Sequence, residues 1–213
     1  MDVYSTEEEQ VEALKKWWHE NGKSVIFGVV LGLGAVFGWR GWQEHRAAQA
    51  MASSELFQDV LTSLRAGSPD KARAPAEEIV KNYSGTGYGV LARLVLAKLD
   101  VDNKHLDQAA TQLKDALAAT DETSLALEIR LRLARVQFAA GDADTALSTL
   151  EVKDPGAYAP DYAELKGDIL ASQGNAQQAY TAYQQAMKGY TKKKMDTSML
   201  EMKMANLGVA NQG

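Results

Sequence analysis

Hydrophobic and polar positions follow two different rules along this chain. Between Ser24 and Trp39, sixteen consecutive residues carry no ionisable side chain, and Gly28, Gly32, Gly34 and Gly38 lie among them. From residue 44 onward, apolar positions recur every three or four residues, the spacing of a helix that buries one face. Glycine and aspartate interrupt that rhythm. It predicts helices over 44–66, 70–83, 88–102, 105–119, 123–140, 142–152, 158–173, 175–190 and 195–208. No period-two alternation competes, so the expected fold class is all-α.

The apolar stretch is short for a membrane span. Its sixteen residues make about 24 Å of helix, whereas a hydrocarbon core of about 30 Å asks for nearer 20 residues. The flanks supply the remainder. Lys23 and Arg40 can lay their stems along the helix and raise their charges to the headgroups. Trp17 and Trp18 at one end, and Trp39 and Trp42 at the other, are placed like two interfacial belts. A buried core helix has no reason to set tryptophan pairs one membrane thickness apart.

Glycine inside a water-soluble helix costs up to about 1 kcal/mol relative to alanine. In lipid the helix persists, because its backbone has no water to bond instead. Small residues four apart then let a second helix come close. Gly28, Gly32, Gly34 and Gly38 are therefore the candidate helix-packing face; the plainer reading is that glycine is simply common in spans.

A cleaved export signal competes with the anchor, since "AAQA" at 47–50 offers an Ala-x-Ala pattern. Residues 1–23, however, hold six acids against three lysines, unlike a basic leader. Arg40, His45 and Arg46 also separate the apolar run from the alanines. The expected organisation is a tail over 1–22, an uncleaved transmembrane helix over 23–43 and a helical domain over 44–213. Lys15, Lys16 and Lys23 before the span, against Arg40 and Arg46 after it, favour a cytoplasmic N-terminus by a narrow margin. "MDVYSTEEEQ" reads as loose, and Glu12 to Trp18 as a short interfacial helix.

Three windows in the second region align: "AKLDVDNKHLDQAATQLKDAL" from 97, "ARVQFAAGDADTALSTLEVKD" from 134 and "GDILASQGNAQQAYTAYQQAM" from 167. Small residues recur at Ala97, Ala134 and Gly167, and again at Ala109, Ala146 and Ala179; Leu113, Leu150 and Tyr183 follow one turn later. A small residue where two antiparallel helices cross lets them approach, and the larger one fills the gap. Gly141 and Gly174 are placed to end the first helix in the left-handed conformation, with Asp142 and Asn175 placed to cap the second. The pattern resembles the tetratricopeptide repeat, whose period is about 34 residues. The helices at 44–66 and 70–83 make a degenerate pair without the small-residue columns, and helix 195–208 is the lone cap such stacks need.

Composition narrows the chemistry. With 213 residues, a net charge of −5 and no basic domain, nucleic acid is not an expected partner. The absence of cysteine excludes disulfides, zinc–cysteine sites and thiol catalysis. His19, His45 and His105 are scattered, and no P-loop, HExxH or nucleophile-elbow pattern is present. The expectation is a non-enzyme without metal or cofactor that works through protein–protein contact.

"VEALKKWWHENGKSVIFGVVLGLGAVFGWRGW" near the start, "LRLARVQ" at 131–137 and "LEMKMANL" at 200–207 resemble the YfgM-like family, ancillary subunits of the bacterial SecYEG translocon. The resemblance covers essentially the whole chain: an acidic tail, a glycine-rich span and a repeat domain in that order. It implies a single-pass protein of the bacterial inner membrane with its N-terminus cytoplasmic and its repeat domain periplasmic. It also implies association with the SecYEG translocon and with the membrane-anchored periplasmic chaperone PpiD, to help exported polypeptides leave the channel and fold. The alternatives are a signal-cleaved, soluble periplasmic repeat protein that binds peptides, and a scaffolding subunit that touches no client.

In stacked helix pairs the first helix of each pair lines the concave side. Projecting the repeat positions places Leu91, Leu94 and Lys98 there from the first unit, Glu128, Leu131, Arg135 and Phe138 from the second, and Asp161, Glu164 and Asp168 from the third. The groove so formed is apolar and basic at one end and acidic at the other, a shape for an extended peptide. The bland reading of these positions is solvated charge over ordinary core. Met195, Met199 and Met202 fall on one helical face and are expected to pack the last helix onto the stack, although methionine also suits adaptable docking surfaces. Lys192 to Lys194 read as a solvated helix junction.

Overall fold

The computed structural model describes residues 7–208, which form helices and no strand. The chain divides into two compact units, residues 1–49 and residues 50–213. Helix α1, Glu7–Arg65, supplies all the described residues of the first.

In that first unit the apolar side chains face outward. Phe27 is 66% exposed and Phe37 66%, and Ile26, Val30, Leu31 and Leu33 are all more than half exposed. In water such a surface is unfavourable by about 25 cal/mol for each Å². The helix is long and apolar enough to cross a membrane. The Trp17 and Trp18 rings lie 6.4 Å apart, and Trp39 and Trp42 lie 5.0 Å apart with the Arg46 guanidinium 4.8 Å over Trp42. A side-chain carbon built onto Gly28, Gly32, Gly34 or Gly38 would meet no atom within 4 Å.

The beginning of the chain differs from its expected form. The helix already includes Glu7, the first described residue. Glu7 to Gln10 are therefore helical rather than loose, and Glu12 to Trp18 are part of one continuous helix. The expectation for residues 1–6 lies outside the described residues.

The second unit contains α1 from residue 50, then α2 (Pro69–Asn82), α3 (Gly87–Asp102), α4 (Leu106–Ala118), α5 (Thr123–Ala139), α6 (Ala143–Thr149), a 3-10 turn (Gly156–Tyr158), α7 (Ala159–Ser172), α8 (Ala176–Lys192) and α9 (Ser198–Asn206). Helix α6 is shorter than the expected 142–152. Its last turn tightens to three-residue bonds, the Leu150 amide reaching the Leu147 carbonyl at 3.0 Å and the Glu151 amide the Ser148 carbonyl at 3.2 Å.

Helices α3 with α4, α5 with α6, and α7 with α8 are the three aligned pairs. Ala97 and Leu113 share one buried cluster, and Ala134, Ala146 and Leu150 share the next. In the third pair a side-chain carbon on Gly167 would lie 2.4 Å from the Tyr183 ring, so only glycine fits that crossing. The degenerate pair also packs: Val60 of α1 lies buried with Ala72, Ala76 and Ile79 of α2 and Ala92 and Leu96 of α3.

The turns repeat more regularly than the helix faces. Gly67, Lys104, Gly141, Gly174 and Gly208 each take a left-handed φ, of 66°, 62°, 89°, 76° and 68°. The amides of Ser68, His105, Asp142 and Asn175 reach back to Ser63, Asp100, Gln137 and Leu170 at 2.8–3.0 Å, which satisfies carbonyls the helix ends leave open. Asp142 caps α6 through the Thr145 amide as expected, whereas the Asn175 side chain makes no cap bond to α8.

One ion pair joins α2 to α3, its acid buried and its arginine partly in water. Asp100 of α3 is 2% exposed and accepts a bond from Arg73 Nη2 of α2 at 2.7 Å.

Candidate functional site

Between α3 and α5 the stack opens into a cavity of about 450 Å³. Leu94, Ala97 and Val101 of α3, Leu113 of α4, and Leu131 and Val136 of α5 give it an apolar lining. Lys98, Arg132 and Arg135 stand on its basic side, with Glu128, Tyr158 and Asp161 also lining it. The α-helical period produces this array. Residues 94, 97, 98 and 101, and residues 128, 131, 132 and 135, each follow an i, i+3, i+4, i+7 row.

Six of the expected groove residues therefore meet in one place: Leu94, Lys98, Glu128, Leu131, Arg135 and Asp161. Leu131 is buried at 4% exposure and serves the core as well as the lining. Leu91 is exposed and is not part of the lining, and Phe138 packs against the cluster around Leu131 and Ala134.

The charges around the cavity are unequal in their commitments. Lys98 pairs with Asp102, and Arg132 with Glu128, each one helical turn apart and partly in water. Such pairs contribute only about 0.3–0.5 kcal/mol. Arg135 is exposed and makes no hydrogen bond or ion pair among the described residues. Tyr158 donates to Glu128 Oε2 at 3.4 Å; burial, together with Glu128, pushes its hydroxyl pKa up.

The expected acidic end is already engaged. Lys203 of α9 lies 2.8 Å from Glu164 Oε1 and 2.7 Å from Asp168 Oδ1. Tyr190 donates to Glu164 Oε2 at 2.8 Å and lies 3.2 Å from Asp161 Oδ1, while Tyr183 donates to Asp168 Oδ1 at 2.8 Å. Burial alone would raise the Glu164 pKa, but the bonds from Lys203 and Tyr190 outweigh it and hold the carboxyl below its ordinary value. Burial would likewise lower Lys203, and the two carboxylates reverse that. Burial and carboxylate partners push both tyrosines far up.

Sequence reasoning missed Lys203. The available signal was Glu164 and Asp168, like charges one turn apart, which repel unless a cation lies between them. The methionine row corrects a second expectation. Met195, Met199 and Met202 are 52%, 62% and 55% exposed, and do not pack the cap. Helix α9 starts only at Ser198, and its inward row is Leu200, Lys203, Met204 and Leu207, about one residue out of phase with the methionines. In the lysine run, Lys193 Nζ bonds the Ala157 carbonyl at 2.6 Å, and Lys194 takes a left-handed φ of 57°.

Helix pairs crossing at small residues, closed by a lone terminal helix and preceded by an apolar helix long enough to span a membrane, define a tetratricopeptide-repeat-like protein. Residues 15–209 match the family described as "Tetratricopeptide repeat-like domain". A crystal structure of a thermophilic TPR protein from Thermus thermophilus superposes with a TM-score of 0.50 at 20% identity, covering 84% of this chain and 97% of that one, and so shares the fold. The chain is 39% identical to the ancillary SecYEG translocon subunit of Escherichia coli K12, over 98% of its own length and all of that protein's. It is 36% identical to the ancillary SecYEG translocon subunit of Haemophilus influenzae, over 96% of its length and all of that protein's. The chain belongs to the family of ancillary SecYEG translocon subunits.

Proposed function

We propose that this protein is a non-catalytic, membrane-anchored adaptor of the Sec translocon. The observation that carries the reading is full-length similarity to translocon subunits, joined to a helix with outward apolar side chains and a repeat stack with an open cavity. Residues 23–43 form the span in the bacterial inner membrane, residues 1–22 face the cytoplasm, and residues 44–213 form a periplasmic repeat domain. The span raises the concentration of the repeat domain at the channel exit, so weak contacts suffice. There the domain meets exported polypeptides and a membrane-anchored periplasmic chaperone, and assists folding. The helix unbroken through residues 47–50 supports an uncleaved anchor, because proteases favour exposed loop tips.

Gly28, Gly32, Gly34 and Gly38 dock the span on another membrane helix. The experiment is recovery of translocon subunits with the full-length protein from detergent-solubilised membranes. Wild type is expected to retain them, and Gly28→Leu with Gly32→Leu to lose most of them. Failure of wild type to bring down the translocon under mild detergent would reject the adaptor role, and unchanged recovery with the double variant would reject that docking face alone.

A further inference from the structure

The cavity between α3 and α5 carries an imbalance of available charge that points to a class of ligand. Its acidic neighbours are engaged within the fold: Glu164 and Asp168 hold Lys203, and Tyr190 reaches both Glu164 and Asp161. Its cations are held more loosely. Arg135 makes no hydrogen bond or ion pair among the described residues and acts on Glu164 only through longer-range attraction, while Lys98 and Arg132 are held by pairs on their own helices. Exposed pairs of that kind exchange partners at little cost. With Glu128 occupied by Arg132 and Tyr158, what the cavity offers to an incoming molecule is an apolar floor with Arg135 and Lys98 at its rim.

We infer that this cavity receives a segment of a partner protein in which an apolar side chain is flanked by aspartate or glutamate. The inference rests on the adaptor reading and deepens it. Charge complementarity selects this occupant: the apolar residue enters over Leu94, Val101 and Leu131, and the carboxylate meets Arg135, with Lys98 on the facing helix turning from Asp102 to join it. Arginine suits the role because its planar fork takes a carboxylate through two parallel bonds. A lysine-flanked segment would set its ammonium against Arg135, a like-charge contact that discriminates against it.

The test measures fluorescence anisotropy of labelled peptides with the purified full-length protein in detergent micelles. One peptide has leucines flanked by glutamates, and the other has the same leucines flanked by lysines. The glutamate peptide is expected to bind about tenfold more tightly at low salt, with the margin narrowing as salt screens the contact. Arg135→Glu should reverse the preference and Arg135→Lys should keep part of it. Lys114→Glu, on exposed α4 surface outside the cavity, should leave it unchanged. Arg135 is exposed, so its variants are expected to fold, and an unaltered thermal melt checks that. Equal binding, a preference for the lysine peptide, no binding of either, or a preference indifferent to Arg135→Glu would overturn the inference. Translocon recovery from the same detergent extract reports on the adaptor role separately, so each idea can fail while the other stands.

Discussion

Helix-interior glycines of the two units differ in what lies beside them: Gly167 and Gly189 are closely covered, whereas Gly28, Gly32, Gly34 and Gly38 are open. At two helix-interior positions of the repeat domain the missing side chain is already answered from within: the Tyr183 ring fills the space at Gly167, and Pro160 fills it at Gly189. In the N-terminal helix the space beside Gly28, Gly32, Gly34 and Gly38 is open, and the large apolar residues between them face outward. One region closes its contacts on itself, down to a buried Asp100 with its own arginine. The other presents contacts that only lipid or another helix would complete. Contacts are thus completed inside the repeat domain, while those of the helix are left open.

The largest expected effect tests how completely the repeat domain closes on itself. Arg73→Ala strands the Asp100 carboxylate in the interior and should cost about 2–3 kcal/mol, less than a fully buried pair because Arg73 keeps partial contact with water. Urea denaturation of the full-length protein in micelles, followed by far-ultraviolet circular dichroism, reads it. Next comes the direct contrast between glycines. Gly167→Ala drives a carbon into the Tyr183 ring and should cost about 2 kcal/mol. Gly32→Ala should leave the same transition where it was. Comparable shifts from both would erase the distinction between the units.

A smaller effect concerns the terminal cap. The Glu164 carboxyl lies below its ordinary value of 4.5, so its contribution is complete above pH 4.5 and disappears as pH falls through the depressed value. Lys203 is raised, so its contribution holds across neutral pH and disappears only on the alkaline side of its ordinary 10.5. Lys203→Met should cost about 1 kcal/mol at neutral pH, discounted for partial exposure, and should flatten the acid limb of a melting-temperature profile. Hydrogen exchange in α9 would locate the change. The smallest effect is a gain: Lys104 holds a left-handed φ that Gly141 and Gly174 occupy at matching turns. Lys104→Gly should stabilise by about 0.5–1 kcal/mol in the same urea titration.

Much of this architecture was legible in the residue pattern because it depends on local spacing. The 3.6-residue period located the helices, and the alternation of Ala97, Ala134 and Gly167 with Leu113, Leu150 and Tyr183 identified the crossings. Six groove positions met because repeat geometry carries a helix face into a known place. The failures share a cause. Helix α9 is the last helix among the described residues and packs through one face only, so its sequence admits two faces, and the methionine row was the outward one. The engagement of Glu164 and Asp168 depends on Lys203, remote in the sequence, which no local period predicts. The left-handed Lys104 was hidden by its side chain, since only glycine announces that conformation on sight.

The crossing of Gly167 with Tyr183 also bears on how such arrays can be rebuilt. Where the two other pairs use alanine with leucine, this one uses a smaller residue with a larger one, so the two positions act as a matched set. A chimera that imported the tyrosine into a neighbouring module while keeping that module's alanine would inherit a collision. Recombination among these modules therefore has to move both halves of the joint together.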